Sequence, residues 1–297
     1  MIGQGKVAYV FPGQGSQWVG MAKELYSNSP QARAVFEEAD SALGFPLSQL
    51  CFEGPEEVLR QTINAQPAIL TVSIAYLRDT SQLDEAPAFT AGHSLGEYTS
   101  LVAAHVLDFT EALCLARERG RLMQAAGEKE PGGMSAIIGL DEAVIDEICR
   151  QSKVQIANIN SPGQIVISGS SIALARAEEL AREKGAKRVI PLQVSGAFHT
   201  PLMQPAVDGM SQAISMINFR DPSIPIVANT TAQPITTAKA VKTELLNQLC
   251  HCIQWVRSIE YMIDSGVSTF IEIGPGKVLT GLIKRINGEV QTINIGQ

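Results

Sequence analysis

The chain holds 297 residues, 45% of them apolar and 18% charged, with a formal net charge of −7. That is enough apolar material for one large core plus a small satellite, and the acidic balance argues against nucleic acid as the main partner. The five cysteines (Cys51, Cys114, Cys149, Cys250, Cys252) are odd in number and irregularly spaced, which argues against a disulfide framework and for a reducing, cytoplasmic compartment.

In chain order, a strand is predicted at Lys6–Phe11, whose apolar stretch, Val7 to Phe11, is too short for a signal peptide. Helical periodicity follows over Gln31–Leu43 and Ala68–Leu77, then a strand over Ala88–Gly92 and a helix over Thr110–Ala125. Later come a helix at Met203–Ile217, strands at Ile224–Asn229 and Thr269–Ile273, and a helix at Lys277–Ile286. Such alternation predicts an α/β fold with a largely parallel sheet flanked by helices. No run approaches the length of a membrane span.

The middle of the chain has a different rhythm. After Gly132-Gly133 the pattern predicts a strand at Met134–Gly139, a helix at Asp141–Gln151 with Asp141 as its cap, and strands at Val154–Ile159 and Gln164–Gly169. The turn Asn160-Ser161-Pro162-Gly163 joins those two strands. A helix at Ile172–Lys184, stopped by Gly185, and a strand at Lys187–Val194 complete a βαββαβ order, that of a ferredoxin-like domain. The expected division is a large catalytic domain over 1–129 and 199–297, with a small subdomain inserted over 130–198.

Gly92-His93-Ser94-Leu95-Gly96 lies between a predicted strand and a helical pattern, the setting of a nucleophile elbow. There the serine stands on a sharp turn, its neighbours two residues away must be small, and the N–H of Leu95 faces the reacting centre near a helix N-terminus. The same pattern also occurs as a plain turn, so a base is required. Of four histidines, His93 adjoins the serine and should leave the elbow in another direction. His105 falls in the predicted apolar helix Leu101–Leu107, as a packed or partly buried histidine. His251 sits between Cys250 and Cys252 without a second ligand pair at zinc spacing, so no metal is expected. His199 remains, in a loop after the last inserted strand, as a base or as a solvated loop histidine.

Several separate stretches together resemble the malonyl-CoA:acyl carrier protein transacylases of fatty acid synthesis and the related acyltransferase domains of polyketide synthases. They are Phe11-Pro12-Gly13-Gln14-Gly15-Ser16-Gln17, the Gly92–Tyr98 elbow, Arg119-Gly120 with Met123-Gln124, Asn160 through Gln164, Ala197-Phe198-His199 and Ile273 through Leu279. The likeness covers nearly the whole chain and implies a hydrolase-like core. It implies that Ser94 is the nucleophile, His199 its base, and Gln248 the residue whose carbonyl orients the base. It further implies that the N–H groups of Gln14 and Leu95 form the oxyanion hole and that Arg119 grips the free carboxylate of a malonyl group. Met123, Asn160 and Phe198 match substrate-binding positions, and Phe198 suggests malonyl over methylmalonyl. A guanidinium fork suits a carboxylate in a way a lysine cannot copy.

The resemblance implies malonyl-CoA as substrate with no bound cofactor, a holo acyl carrier protein as acceptor, and a monomer that engages neither membrane nor nucleic acid. An acidic carrier would meet basic residues, for which Lys184, Lys187, Arg188, Lys284 and Arg285 are candidates, with a solvated face as the alternative. Two departures stand out: Cys252-Ile253-Gln254 before Trp255 where the family carries a Pro-Val pair, and His105 where it carries glycine, a change expected to crowd a helix contact. The competing readings are a serine hydrolase, such as a thioesterase, using the same Ser94 and His199, and a non-catalytic binding module.

Overall fold

The computed structural model describes residues 5–79 and 86–296; residues 1–4, at the start of the N-terminal segment, lie outside them. Its strands are β1 (Lys6–Phe11), β2 (Phe89–Gly92), β3 (Gly132–Ile138), β4 (Gln155–Ser161), β5 (Gln164–Ser170), β6 (Arg188–Pro191), β7 (Ile226–Val227), β8 (Pro234–Ile235), β9 (Val267–Ile273) and β10 (Gln291–Ile295). They form two sheets, one ordered β10-β9-β1-β2-β7-β8 and the other β4-β5-β3-β6.

The first sheet is parallel except for the short β7–β8 pair at its edge. Strand β1 is central, and Val7 through Phe11 are all buried. That is why the stretch reads as an unbroken apolar run: Ala8 and Val10 join a core containing Trp255 and Phe270, while Val7, Tyr9 and Phe11 join another with Ile271 and Ile273. From β1 the chain moves to one side through β2 and β7 and returns on the other as β9 and β10. The carboxyl ends of β1 and β2 therefore open side by side, where ligands of such sheets gather.

The second sheet is antiparallel throughout. Numbered within the βαββαβ segment, its order is 2-3-1-4, the ferredoxin-like arrangement expected from the sequence. Its own core, with Ile145, Ile148, Ile167 and Ala177, is built by the helices Glu142–Ser152 and Ser171–Glu183. Among the described residues no helix is long and apolar enough to cross a membrane.

Several boundaries differ from expectation. The helix predicted from Ala68 begins at Thr62 and runs through Pro67, which is buried inside it; packing on both sides holds a proline that local preference would exclude. Asp141 occupies the N-cap position, but its side chain makes no capping bond. Strand β4 continues through Ser161, so the turn into β5 shrinks to Pro162-Gly163, with Gly163 at φ 68°. The strands expected at Ile224–Asn229 and Lys187–Val194 are only two and four residues long. The apolar helix near His105 ends at Ala103, and His105 itself is exposed with φ 58°. It crowds no helix contact. The left-handed backbone favours glycine there for conformational reasons.

Candidate active site

The elbow forms because its glycines leave no room for anything else. A Cβ on Gly92 would lie 1.8 Å from the Gly96 carbonyl carbon, and one on Gly96 would lie 2.0 Å from the Phe11 carbonyl oxygen. Between them Ser94 is held at φ 52°, a strained value for a residue with a side chain. Side chains clamp both polar groups of its backbone: Asn229 Oδ1 accepts from the Ser94 N–H at 2.7 Å, and Gln248 Nε2 donates to the Ser94 carbonyl at 3.0 Å. The helix Gly96–Ala103 starts immediately after, with Leu95 fully buried at its cap position.

His199, also at a left-handed φ of 60°, arrives from the loop after β6. Its Nε2 lies 2.9 Å from Ser94 Oγ and its Nδ1 lies 2.7 Å from the Gln248 carbonyl oxygen. A carbonyl can only accept, so Nδ1 carries the proton and Nε2 turns a free lone pair to the serine. Burial, followed by the charge of Arg119, lowers the His199 pKa to about 3, so the imidazole is neutral at physiological pH. Among the described residues no carboxylate bonds the ring. Gln248 does so from the C-terminal end of the helix Ala238–Asn247.

Arg119 is 1% exposed, on the helix Phe109–Lys129. Its Nη1 donates to Gln66 Oε1 at 2.8 Å, and its Nη2 to Gln248 Oε1 at 2.7 Å and to Ser94 Oγ at 3.2 Å. The guanidinium stands 5.4 Å from the Tyr98 ring centroid, and its Nε finds no partner among the described residues. Burial lowers its pKa. A buried cation bonded to neutral amides rather than to an acid is costly to keep, and an incoming anion would relieve that cost. Two further arginines on the same helix do not turn inward: Arg117 covers the Phe45 ring and Arg121 pairs with Glu118.

Ser94, His199 and Arg119 line one cleft of about 240 Å³, open to solvent, which also takes in Gln14, Met123, Asn160 and Phe198. Met123 and Phe198 are buried, and Gln66 Nε2 rests 3.5 Å from Met123 Sδ. Gln14 Nε2 donates to Thr62 Oγ1 at 3.2 Å. Asn160 Oδ1 lies 2.8 Å from His93 Nε2, and the His93 ring packs edge-on against Trp255, so this histidine does leave the elbow away from Ser94. The unusual Cys252-Ile253-Gln254 stretch is tied by its backbone: Ile253 N–H donates to Ala157 O and Gln254 N–H to Asn229 O, both at 2.8 Å. His251 bonds the Asn247 carbonyl, and no cluster of metal-ligating side chains occurs among the described residues.

The chain matches the family described as "Acyl transferase domain" over residues 8–294. It is 47% identical over 295 residues to the malonyl CoA-acyl carrier protein transacylase of Bacillus subtilis, covering 98% of this chain and 93% of that protein. The chain belongs to the malonyl CoA-acyl carrier protein transacylases. Among solved structures of this transacylase family, the acyl-carrier-protein S-malonyltransferase of Bartonella henselae is 45% identical, with a TM-score of 0.95 over 98% of this chain and 96% of that one. A malonyl-transacylase in complex with its type II polyketide synthase acyl carrier protein matches with a TM-score of 0.95 at 41% identity, again over 98% and 96% of the two chains.

Against that family background, the sequence reading passed over Gln66, Glu97 and Asn229 in the site. Asn229 enters the sequence reading only as the last residue of the strand predicted at Ile224–Asn229. Glu97 carried a legible signal: it is the one acidic residue in the otherwise apolar and small-residue stretch Gly96–Ala103.

Proposed function

We propose that this transacylase carries a malonyl group from malonyl-CoA to the phosphopantetheine thiol of an acyl carrier protein, through a malonyl ester on Ser94. His199 Nε2 takes the Ser94 hydroxyl proton as Oγ bonds to the thioester carbon. The resulting oxyanion is received by the N–H groups of Gln14 and Leu95, each worth about 3–4 kcal/mol of barrier. As the carbon–sulfur bond breaks, His199 returns the proton to the departing coenzyme A thiol. The carrier thiol then gives its proton to His199, attacks the ester, and releases Ser94 as the proton goes back to Oγ. No cofactor takes part; malonyl-CoA is a substrate.

The observation that carries this reading is the placement of a buried guanidinium, 3.2 Å from Ser94 Oγ, with its Nε still unpartnered. Such a fork offers two donors to the far carboxylate of a malonyl group while Ser94 meets the thioester end. Phe198 walls the cleft beside the base and favours malonyl over the bulkier methylmalonyl, by about 1–3 kcal/mol for a methyl group. Met123 and Asn160 supply the remaining contacts. The hydrolase alternative has no observation in its favour here.

The protein is read as a cytoplasmic monomer, with a catalytic domain over 1–129 and 199–297 and the small subdomain over 130–198. Lys184, Lys187, Arg188, Lys284 and Arg285 are exposed, and Arg285 bonds Gln164 at the cleft wall, which supports carrier docking on that side. Intact mass spectrometry after mixing with malonyl-, methylmalonyl- and acetyl-CoA tests the reading. Loading on Ser94, strongest for malonyl and discharged by holo carrier protein, is expected; release of free malonate at the same rate with and without carrier would overturn it.

A further inference from the structure

Glu97 is 1% exposed, three residues beyond Ser94, and has no part in the proton transfers above. Its Oε1 accepts from the Asn229 backbone N–H at 3.0 Å and from Asn229 Nδ2 at 3.2 Å. Its Oε2 accepts from Gln248 Nε2 at 2.5 Å. All three partners are N–H donors. Burial and neighbouring Glu244 raise the Glu97 pKa well above the usual carboxylate range, against the pull of Asn229, Gln248 and Arg119. A proton on Oε1 would face two N–H donors and a proton on Oε2 would face Gln248 Nε2, so this set of bonds belongs to the carboxylate, with both oxygens accepting. Glu244 itself is engaged elsewhere, with the Thr230 N–H and hydroxyl.

Asn229 and Gln248 are the two amides that clamp the elbow, and each has one accepting and one donating end. Asn229 directs Nδ2 to Glu97 and to the Gly92 carbonyl at 2.7 Å, which leaves Oδ1 for the Ser94 N–H. Gln248 directs Nε2 to Glu97 and the Ser94 carbonyl, which leaves Oε1 for Arg119 Nη2. Turn either amide over and a donor faces a donor.

We infer that Glu97 is a positioning residue that sets the sense of the Asn229 and Gln248 amides and, through Gln248, aims the Arg119 guanidinium, so that it governs selectivity for acyl groups ending in a carboxylate. This rests on the reading that Arg119 receives that carboxylate. An amide at position 97 accepts at one end only. With its oxygen toward Asn229, its nitrogen meets Gln248 Nε2 and drives that amide to turn its nitrogen against Arg119.

The test is the ratio of malonyl to acetyl loading on Ser94, measured by stopped reaction and intact mass. For Glu97→Gln the ratio is expected to fall about tenfold to a hundredfold, the size of a lost hydrogen bond to a charged group. Glu97→Asp, which keeps two accepting oxygens, should hold the ratio near the parent value even at a lower rate. In a Gln248→Ala background, adding Glu97→Gln should leave the ratio where Gln248→Ala alone puts it.

A ratio unchanged by Glu97→Gln, lost equally in Glu97→Asp, or lowered further in the Gln248→Ala background overturns the relay. Should Glu97→Gln fail to fold, Gln248→Ala alone, which cuts the link to Arg119, is expected to lower the ratio about tenfold or more while Glu97→Asp holds it, and an unchanged ratio in Gln248→Ala overturns the relay. A parent enzyme that loads acetyl as readily as malonyl would remove the Arg119 reading, and the relay with it; a parent preference untouched by Glu97→Gln removes the relay only.

Discussion

His199 makes the stability of this protein depend on pH in a calculable way. Its folded pKa of about 3 lies below the ordinary histidine value of 6.5, because the ring is buried and faces the Arg119 cation. Between those values the unfolded chain binds a proton that the native state does not, so stability falls as pH drops from 6.5 toward 3. At pH 5 this one group is expected to cost about 2 kcal/mol relative to pH above 7, and across the whole interval about 5 kcal/mol. The comparison variant is His199→Asn, whose side-chain amide can still donate to the Gln248 carbonyl but does not titrate. Urea unfolding of both proteins at pH 7.5, 6.0 and 5.0 isolates the effect, since Glu97 and the other buried groups are common to both. The parent should lose about 2 kcal/mol more than the variant between pH 7.5 and 5.0. Parallel losses would refute the buried neutral imidazole, as would an acid limb near pH 6.5 in the kcat/KM profile for malonyl loading.

Three further outcomes are expected. Arg119→Lys keeps the charge but loses the fork, so malonyl loading should fall about tenfold to a hundredfold with a smaller change for acetyl; equal changes for both would contradict carboxylate binding. Gly96→Ala, whose methyl would lie 2.0 Å from the Phe11 carbonyl, should destabilise by about 3 kcal/mol or more in urea unfolding, and a variant within 1 kcal/mol of the parent, roughly the size of an ordinary substitution, would show the elbow to be looser than drawn. His105→Gly should relieve a left-handed residue and stabilise by about 0.5–1 kcal/mol, or roughly 2 °C in Tm; a lower Tm would mean the exposed ring does something for the fold.

The alternation of strands and helices, the βαββαβ order of the middle segment and the elbow around Ser94 were legible because each rests on local chemistry. Burial on both faces of β1 leaves an apolar run, and a tight turn leaves glycines two residues either side of the serine. The helix expected at Ala68–Leu77 starts six residues earlier for the converse reason: local preference places a boundary at Pro67, and packing overrides it. His105 was read as packed because its neighbours are apolar, whereas the φ of 58° that exposes it is a property of how the chain leaves one helix for the next.

What the residues alone determined was the inventory: a serine on a tight turn between two glycines, one histidine without another role, and an arginine, Arg119, in a helical pattern. What only the tertiary structure decided was their convergence. Ser94 and His199 are 105 residues apart and Ser94 and Gln248 are 154 apart, yet side-chain bonds of 2.9 and 3.0 Å join them and a buried amide network connects both to Arg119. Hydrogen bonds between groups so distant along the chain leave no periodicity to read, because the sheet, and not the neighbouring sequence, sets the distance between them.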